Sequence, residues 1–173
     1  MHAHTHSRKG EPFRVAAPGA SGAIDAPDLT ALLDGREDGV ALVIDDHSCV
    51  RALLAWVLAD EGIQACEAAS GDEGLLMARS IRPDLVCVDL DMPGGGLAVI
   101  GRLREVLPTA TVIALTDSPR ASLRDAVLAE GGDDMLEKPF HPDELRCAVA
   151  AARLRAGMRI GPHDPTTTFV DSL

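Results

Sequence analysis

Val40-Ala-Leu-Val-Ile44 runs directly into Asp45-Asp46, and Ser48 then opens Cys49-Val-Arg-Ala-Leu-Leu54-Ala-Trp-Val-Leu58; the reading of this stretch decides the fold. Five consecutive apolar residues have the length of a strand buried on both faces. Beyond Ser48, an expected helix cap, Val50, Leu53, Leu54, Val57 and Leu58 fall on one helical stripe. The stretch is therefore read as a strand, an acidic turn and an amphipathic helix.

Working outward, the same unit recurs. Ile63 to Ala68 reads as a second strand, and Ser70-x-x-Glu73 as a capping box opening a helix that ends before Pro83. Leu85 to Val88 is a third strand. It leads through the Gly94-Gly95-Gly96 loop to a helix bearing Leu97, Ile100, Leu103 and Leu107, stopped by Pro108. Thr111 to Leu115 with a helix from about Ser118 to Glu130 makes the fourth unit. Asp134 to Glu137 with a helix opened by Pro142 makes the fifth. Five strand-helix units imply an α/β domain, a doubly wound parallel sheet covered by helices on both faces. The expected organisation is a flexible extension over 1–39, one domain over 40–156 and a flexible tail over 157–173.

Composition narrows the function. The 173 residues are 46% hydrophobic, enough to fill one core. Aromatics are 2% and Tyr is absent, which leaves no platform for stacking bases, and a net charge of -11 repels phosphate backbones. No nucleic-acid partner is expected. Neither a signal peptide nor a membrane-length apolar segment is apparent, so no membrane partner is expected either. Cys49, Cys66, Cys87 and Cys147 lack metal-site spacing and are read as buried thiols, in keeping with a reducing cytoplasm. His2, His4 and His6 alternate in a polar leader and are read as part of a tail rather than as a metal site.

Ligands of open parallel sheets bind at the carboxyl ends of the strands, where Asp45, Asp46, Asp89, Thr116 and Lys138 all fall. Three carboxylates in one cavity make a hard oxygen site suited to Mg2+. A hydroxyl and a fixed cation beside them complete the set needed for phosphoryl transfer to a carboxylate. Unneutralised, two such charges about 4 Å apart repel by about 4 kcal/mol at an effective dielectric near 20, so the metal and Lys138 are expected to be needed together.

Val43-Ile-Asp-Asp46, Leu85 to Asp89 with Met92-Pro93, Ala114-Leu-Thr116 and Leu136-Glu-Lys-Pro139-Phe140 resemble, in order and spacing, the receiver domain of bacterial two-component response regulators. The resemblance covers roughly Val40 to Arg155. It implies a flavodoxin-like five-stranded sheet, of order 2-1-3-4-5 counting from Val40, with five helices. It also implies that Asp89 accepts a phosphoryl group from a sensor histidine kinase or a histidine phosphotransfer protein. Asp45, Asp46, Asp89 and the backbone carbonyl of Asp91 then hold Mg2+, Thr116 and Lys138 contact the phosphoryl oxygens, and Lys138-Pro139 is cis. With only 157–173 after the last helix, the resemblance is to a stand-alone receiver that signals through an unknown downstream protein or a phosphorelay. Such a protein is not an enzyme beyond its own phosphorylation and dephosphorylation.

Three positions depart from the family pattern. Asp117 replaces the small residue that usually follows the Thr; turned inward at about 6 Å from a phosphoryl group it costs about 3 kcal/mol, while facing solvent it matters little. Met135 stands where an aromatic switch residue is usual. The Gly94 to Gly96 loop is one residue short and lacks the usual Asp or Asn. These departures keep a second reading open, a degenerate receiver that binds partners without phosphorylation. A haloacid-dehalogenase-like phosphatase also uses Asp-x-Asp, Thr and Lys, but its nucleophile lies on the first strand.

Plainer roles stand beside these. Asp45 and Asp46 could cap a helix, His47 reads as a partly exposed helix-start residue rather than a metal or proton-transfer group, and Trp56 reads as packing. The triple glycine matches no nucleotide-binding motif.

Overall fold

The structure, a computed structural model, describes residues 14–16 and 39–156. Its parallel sheet is built from β2 (Val40–Ile44), β3 (Gln64–Ala68), β4 (Leu85–Asp89), β5 (Thr111–Thr116) and β6 (Asp134–Glu137). The five helices are α1 (Ser48–Asp60), α2 (Gly71–Ile81), α3 (Gly96–Val106), α4 (Ala121–Ala129) and α5 (Pro142–Ala156). The parallel strands lie in the order β3-β2-β4-β5-β6, which is the expected 2-1-3-4-5.

Period-two alternation sends each strand's side chains to two cores. Leu42, Ile44, Val86, Val88, Val112 and Ala114 join α2, α3 and α4 through Leu75, Ile100, Leu103 and Val127. Ala41, Val43, Cys87, Ile113 and Leu115 join α1 and α5 through Leu54, Leu58, Leu145 and Val149. Both faces of β2, β4 and β5 are thus dry, which is why these central strands read as nearly unbroken apolar runs.

A sixth strand was not expected. Arg14–Ala16 (β1), placed by the sequence in a flexible extension, pairs antiparallel with β3 in the register Arg14↔Glu67, Val15↔Cys66, Ala16↔Ala65. The outer edge of β3 offers unpaired backbone groups, and these three residues pair along Ala65 to Glu67 of it. The rest of 1–38, including His2, His4 and His6, and the expected tail lie outside the described residues.

Local chemistry also moves some boundaries. His47, not Ser48, is the N-cap of α1, because the Asp45 carboxylate accepts from the His47 amide at 2.8 Å. The capping box of α2 forms: Ser70 Oγ accepts from the Glu73 amide at 3.3 Å, and Glu73 accepts from the Ala69 amide at 2.7 Å. Helix α4 starts at Ala121 rather than near Ser118, because the preceding amides are held elsewhere, as described below. On α1 the stripe buries Leu54, Val57 and Leu58 but leaves Leu53 exposed, and Trp56 beside the stripe is 60% exposed rather than packed as expected. Cys66 and Cys87 are buried as expected, whereas Cys49 and Cys147 are exposed on helices. No helix among the described residues is long and apolar enough to cross a membrane.

Candidate functional site

Strand order reverses between β3 and β4 around β2, and the cleft at that switch point is where a doubly wound sheet opens for a ligand. The first unit supplies Asp45, wholly buried just past β2, and the exposed Asp46. The third supplies Asp89, the last residue of β4 and 1% exposed. Thr116 ends β5, and Lys138 follows β6 with its side chain 9% exposed. The backbone holds these ends in register: the Lys138 amide donates to the Thr116 carbonyl at 2.8 Å, and the Leu90 amide to the Leu115 carbonyl at 2.8 Å. The Lys138-Pro139 bond is cis.

Lys138 joins the two buried acids. Its Nζ lies 3.0 Å from Asp45 Oδ2 and 3.0 Å from Asp89 Oδ1. Burial pushes the Asp89 carboxyl above its ordinary value, against the Asp91 amide and Lys138, which pull it down. Burial alone would lower the Lys138 ammonium, yet its bonds to Asp89 and Asp45 carry it above its ordinary value. The cation is therefore retained where two carboxylates converge. The Asp91 amide donates to Asp89 Oδ1 at 3.0 Å, while Asp89 Oδ2 accepts no hydrogen bond from any described residue.

That orphaned oxygen and the adjacent acids test the expected metal. Ligand atoms of Asp45, Asp46, Asp89 and also His47 lie within 4.8 Å of one another. Hard carboxylate oxygens, one of them buried without a partner, suit a dication that keeps part of its water shell, so the residues fit Mg2+.

The remaining sequence-predicted residues divide. Asp91, expected to serve through its backbone carbonyl, uses its side chain as well: the carboxylate accepts from the Thr116 hydroxyl at 2.9 Å and from the Asp117 amide at 2.6 Å, and the Ser118 amide donates to Thr116 Oγ1 at 3.1 Å. These bonds hold the β5-α4 loop and delay the start of α4. Asp117 is exposed, so its charge faces solvent rather than the acids. Met135 is partly buried against the core. The short glycine loop works by close approach: a Cβ at Gly96 would overlap the Asp89 carbonyl and the Leu90 Cα, and Gly94 and Gly95 take left-handed φ values of +98 and +78.

Arg51 escaped the sequence reading, and His47, read there only as a helix-start residue, reaches the acid pair. Arg51 donates to the Asp45 carbonyl at 2.7 Å and to Glu67 at 3.1 Å, tying the acidic turn to β3. His47 Nδ1 lies 2.8 Å from Asp46 Oδ1. Only their place in the first turn after the acidic pair signals either one.

Comparison with known proteins agrees with this geometry. The family described as "Response regulator receiver domain" matches residues 41–150. The chain is 34% identical over 131 residues to the KDP operon transcriptional regulatory protein KdpE of Escherichia coli (strain K12), covering 75% of this chain and 57% of that protein. The chain thus spans little more than half the length of this relative. Among solved structures, the Vibrio cholerae chemotaxis protein CheY4 superposes with a TM-score of 0.64 at 25% identity, over 66% of this chain and 98% of that one. A response regulator protein from Burkholderia pseudomallei, with a phosphorylated aspartic acid, calcium ion and citrate, gives a TM-score of 0.62 at 28% identity over 69% of each chain. A five-stranded parallel sheet of this order, acids at the switch point and a match across most of the described residues together show that the chain belongs to the response regulator receiver domain family.

Proposed function

We propose that Asp89 is the phosphoacceptor and that the chain takes its phosphoryl group from a sensor histidine kinase or a histidine phosphotransfer protein. The observation that carries this reading is the shared Lys138 ammonium, 3.0 Å from both Asp45 and Asp89, beside an Asp89 oxygen that accepts no hydrogen bond from any described residue. An electron pair of the Asp89 carboxylate forms the new O–P bond. The bond from phosphorus to the donor breaks, and its electrons leave with the imidazole nitrogen or, for a small-molecule donor, the acetate oxygen. Asp45, Asp46, Asp89 and the Asp91 carbonyl would hold Mg2+, which would supply positive charge to offset that of the phosphoryl oxygens. Lys138 supplies the second positive charge, and Thr116 turns its hydroxyl from Asp91 to a phosphoryl oxygen.

The chain catalyses only its own phosphorylation and dephosphorylation. Its output passes through protein contacts or a phosphorelay in the cytoplasm, without nucleic acid or membrane. The acidic balance and scarcity of aromatics support the exclusion of nucleic acid. In this scheme residues 40–156 are the receiver, and the segments on either side serve as extensions.

Intact mass after incubation with acetyl phosphate, with and without Mg2+, tests the proposal on the native chain and on Asp89→Ala. A single Mg2+-dependent phosphoryl adduct, lost in the variant, is expected. A folded protein that gains no adduct would instead be a binding module.

A further inference from the structure

The ligands proposed above for Mg2+ are all oxygens, but the loop that carries the acid pair also carries an imidazole. The His47 amide donates to Asp45 Oδ1 at 2.8 Å, which fixes the backbone of His47 as the cap of α1. Its Nδ1 lies 2.8 Å from Asp46 Oδ1 and 3.5 Å from Asp45 Oδ1, with the side chain 64% exposed and open to ligand exchange. One ligand atom each from Asp45, Asp46, His47 and Asp89 falls within a span of 4.8 Å. Two ligands on opposite sides of an ion, each at about 2.1 Å, are about 4.2 Å apart, so a closure of well under 1 Å brings all four into one shell. The pocket also holds a reason to bind: Asp89 is 1% exposed and its Oδ2 accepts no hydrogen bond from any described residue.

We infer that His47 supplies a nitrogen ligand, making the pocket a mixed imidazole-carboxylate site for first-row transition-metal dications as well as Mg2+. This rests on the pocket being the metal site proposed above. The chemistry separates the two kinds of ion. Carboxylates, carbonyls and water serve Mg2+, whereas imidazole adds affinity for ions later in the series and little for Mg2+. His47 therefore sets metal preference without being needed for the Mg2+-dependent state. The opposing account is that Nδ1 only braces Asp46, in which case its loss loosens one carboxylate and weakens every dication alike.

The test is calorimetric titration of the full chain with Mg2+ and, separately, Co2+. His2, His4 and His6 are replaced by Asn in every sample, so that any Co2+ taken by the alternating His leader does not enter the comparison. His47→Ala and His47→Asn are compared with the parent, and Asp89→Asn marks the site. The Asn variant keeps a short polar side chain at the cap, so a loss shared by both variants does not come from the helix start. Expected is a fall in Co2+ affinity of about tenfold or more in both His47 variants, with Mg2+ affinity held within about twofold. Mn2+ bound to the parent should show nitrogen modulation in its electron spin echo, absent in both variants. Equal weakening of Mg2+ and Co2+, or unchanged Co2+ affinity, overturns the nitrogen ligand and leaves the phosphoacceptor reading standing. Binding of both ions that ignores Asp89→Asn overturns the two together.

Discussion

Thr116 donates its hydroxyl hydrogen bond to Asp91 Oδ2 at 2.9 Å, so the hydroxyl expected to serve a phosphoryl group is held by a carboxylate two residues beyond the expected acceptor. The same carboxylate takes the Asp117 amide, which makes Asp91 a clasp on the β5-α4 loop.

Replacing the clasp should act in two directions. Asp91→Ala frees Thr116 and the loop amide, and a hydrogen bond to a charged group contributes about 1.5 kcal/mol, so the unphosphorylated fold should lose stability by about that amount in urea unfolding. The rate of adduct formation with acetyl phosphate should rise by about tenfold, because Thr116 no longer has to leave a partner. An unchanged or slower rate would show that the clasp does not restrain the hydroxyl.

Asp89→Asn should stabilise the metal-free protein at neutral pH. The Asp89 carboxyl is held above its ordinary value by burial, so the folded state binds its proton more tightly than the unfolded chain does. Stability is then lost as pH rises from the unfolded value through the folded one, and the cost is fully present above both. Thermal melts in chelator should show Asn raising Tm by a few degrees at pH 7, with the advantage shrinking as the medium becomes acidic enough to protonate Asp89.

Arg104 is expected to be the costliest single surface-proximal loss. It donates to the carbonyls of Leu107, Ala110 and Gly131 and pairs with Asp133 at 2.9 Å, closing the end of α3 onto the loop before β6. Arg104→Ala leaves several part-buried acceptors without donors, and a loss of about 2–3 kcal/mol in denaturant unfolding is expected. Retention of wild-type stability would show that water replaces the guanidinium without penalty.

Alkaline pH should act through Cys87. Burial pushes its thiol from 9.0 up to about 12. The unfolded chain releases this proton first, so the native state holds more protons across that window and stability falls as pH rises through it. Cys87→Ala removes this dependence. The stability difference between wild type and variant should therefore narrow by about 1 kcal/mol between pH 8 and pH 10 in urea unfolding. A constant difference would place the titrating group elsewhere.

The parallel strands are legible because Val40–Ile44 and Leu85–Asp89 are apolar at every position but the last acid, a pattern that two-sided burial demands. The strand-end residues Asp45, Asp89 and Thr116 are legible for a related reason, since each closes such a run, whereas Lys138 follows the mixed strand Asp134–Glu137 and is read from its place in the repeating units. What fails to show is anything fixed by a distant partner. Arg14–Ala16 is a strand only because β3 has an edge to lend it. The start of α4 is set by Asp91 and Thr116 catching the amides of Asp117 and Ser118. Trp56 sits beside an apolar stripe in sequence, yet the helix turns it to water. No local pattern carries those facts.

Arg51 has a reach beyond the acidic turn. One of its nitrogens holds the Asp45 carbonyl and another holds Glu67, the register partner of Arg14 in the outermost strand. The rim of the sheet and the acid pair are thus separated by a single side chain. Peeling Arg14–Ala16 away, or adding a different strand in its place, would be felt at Asp45 as a change in how firmly its backbone is anchored.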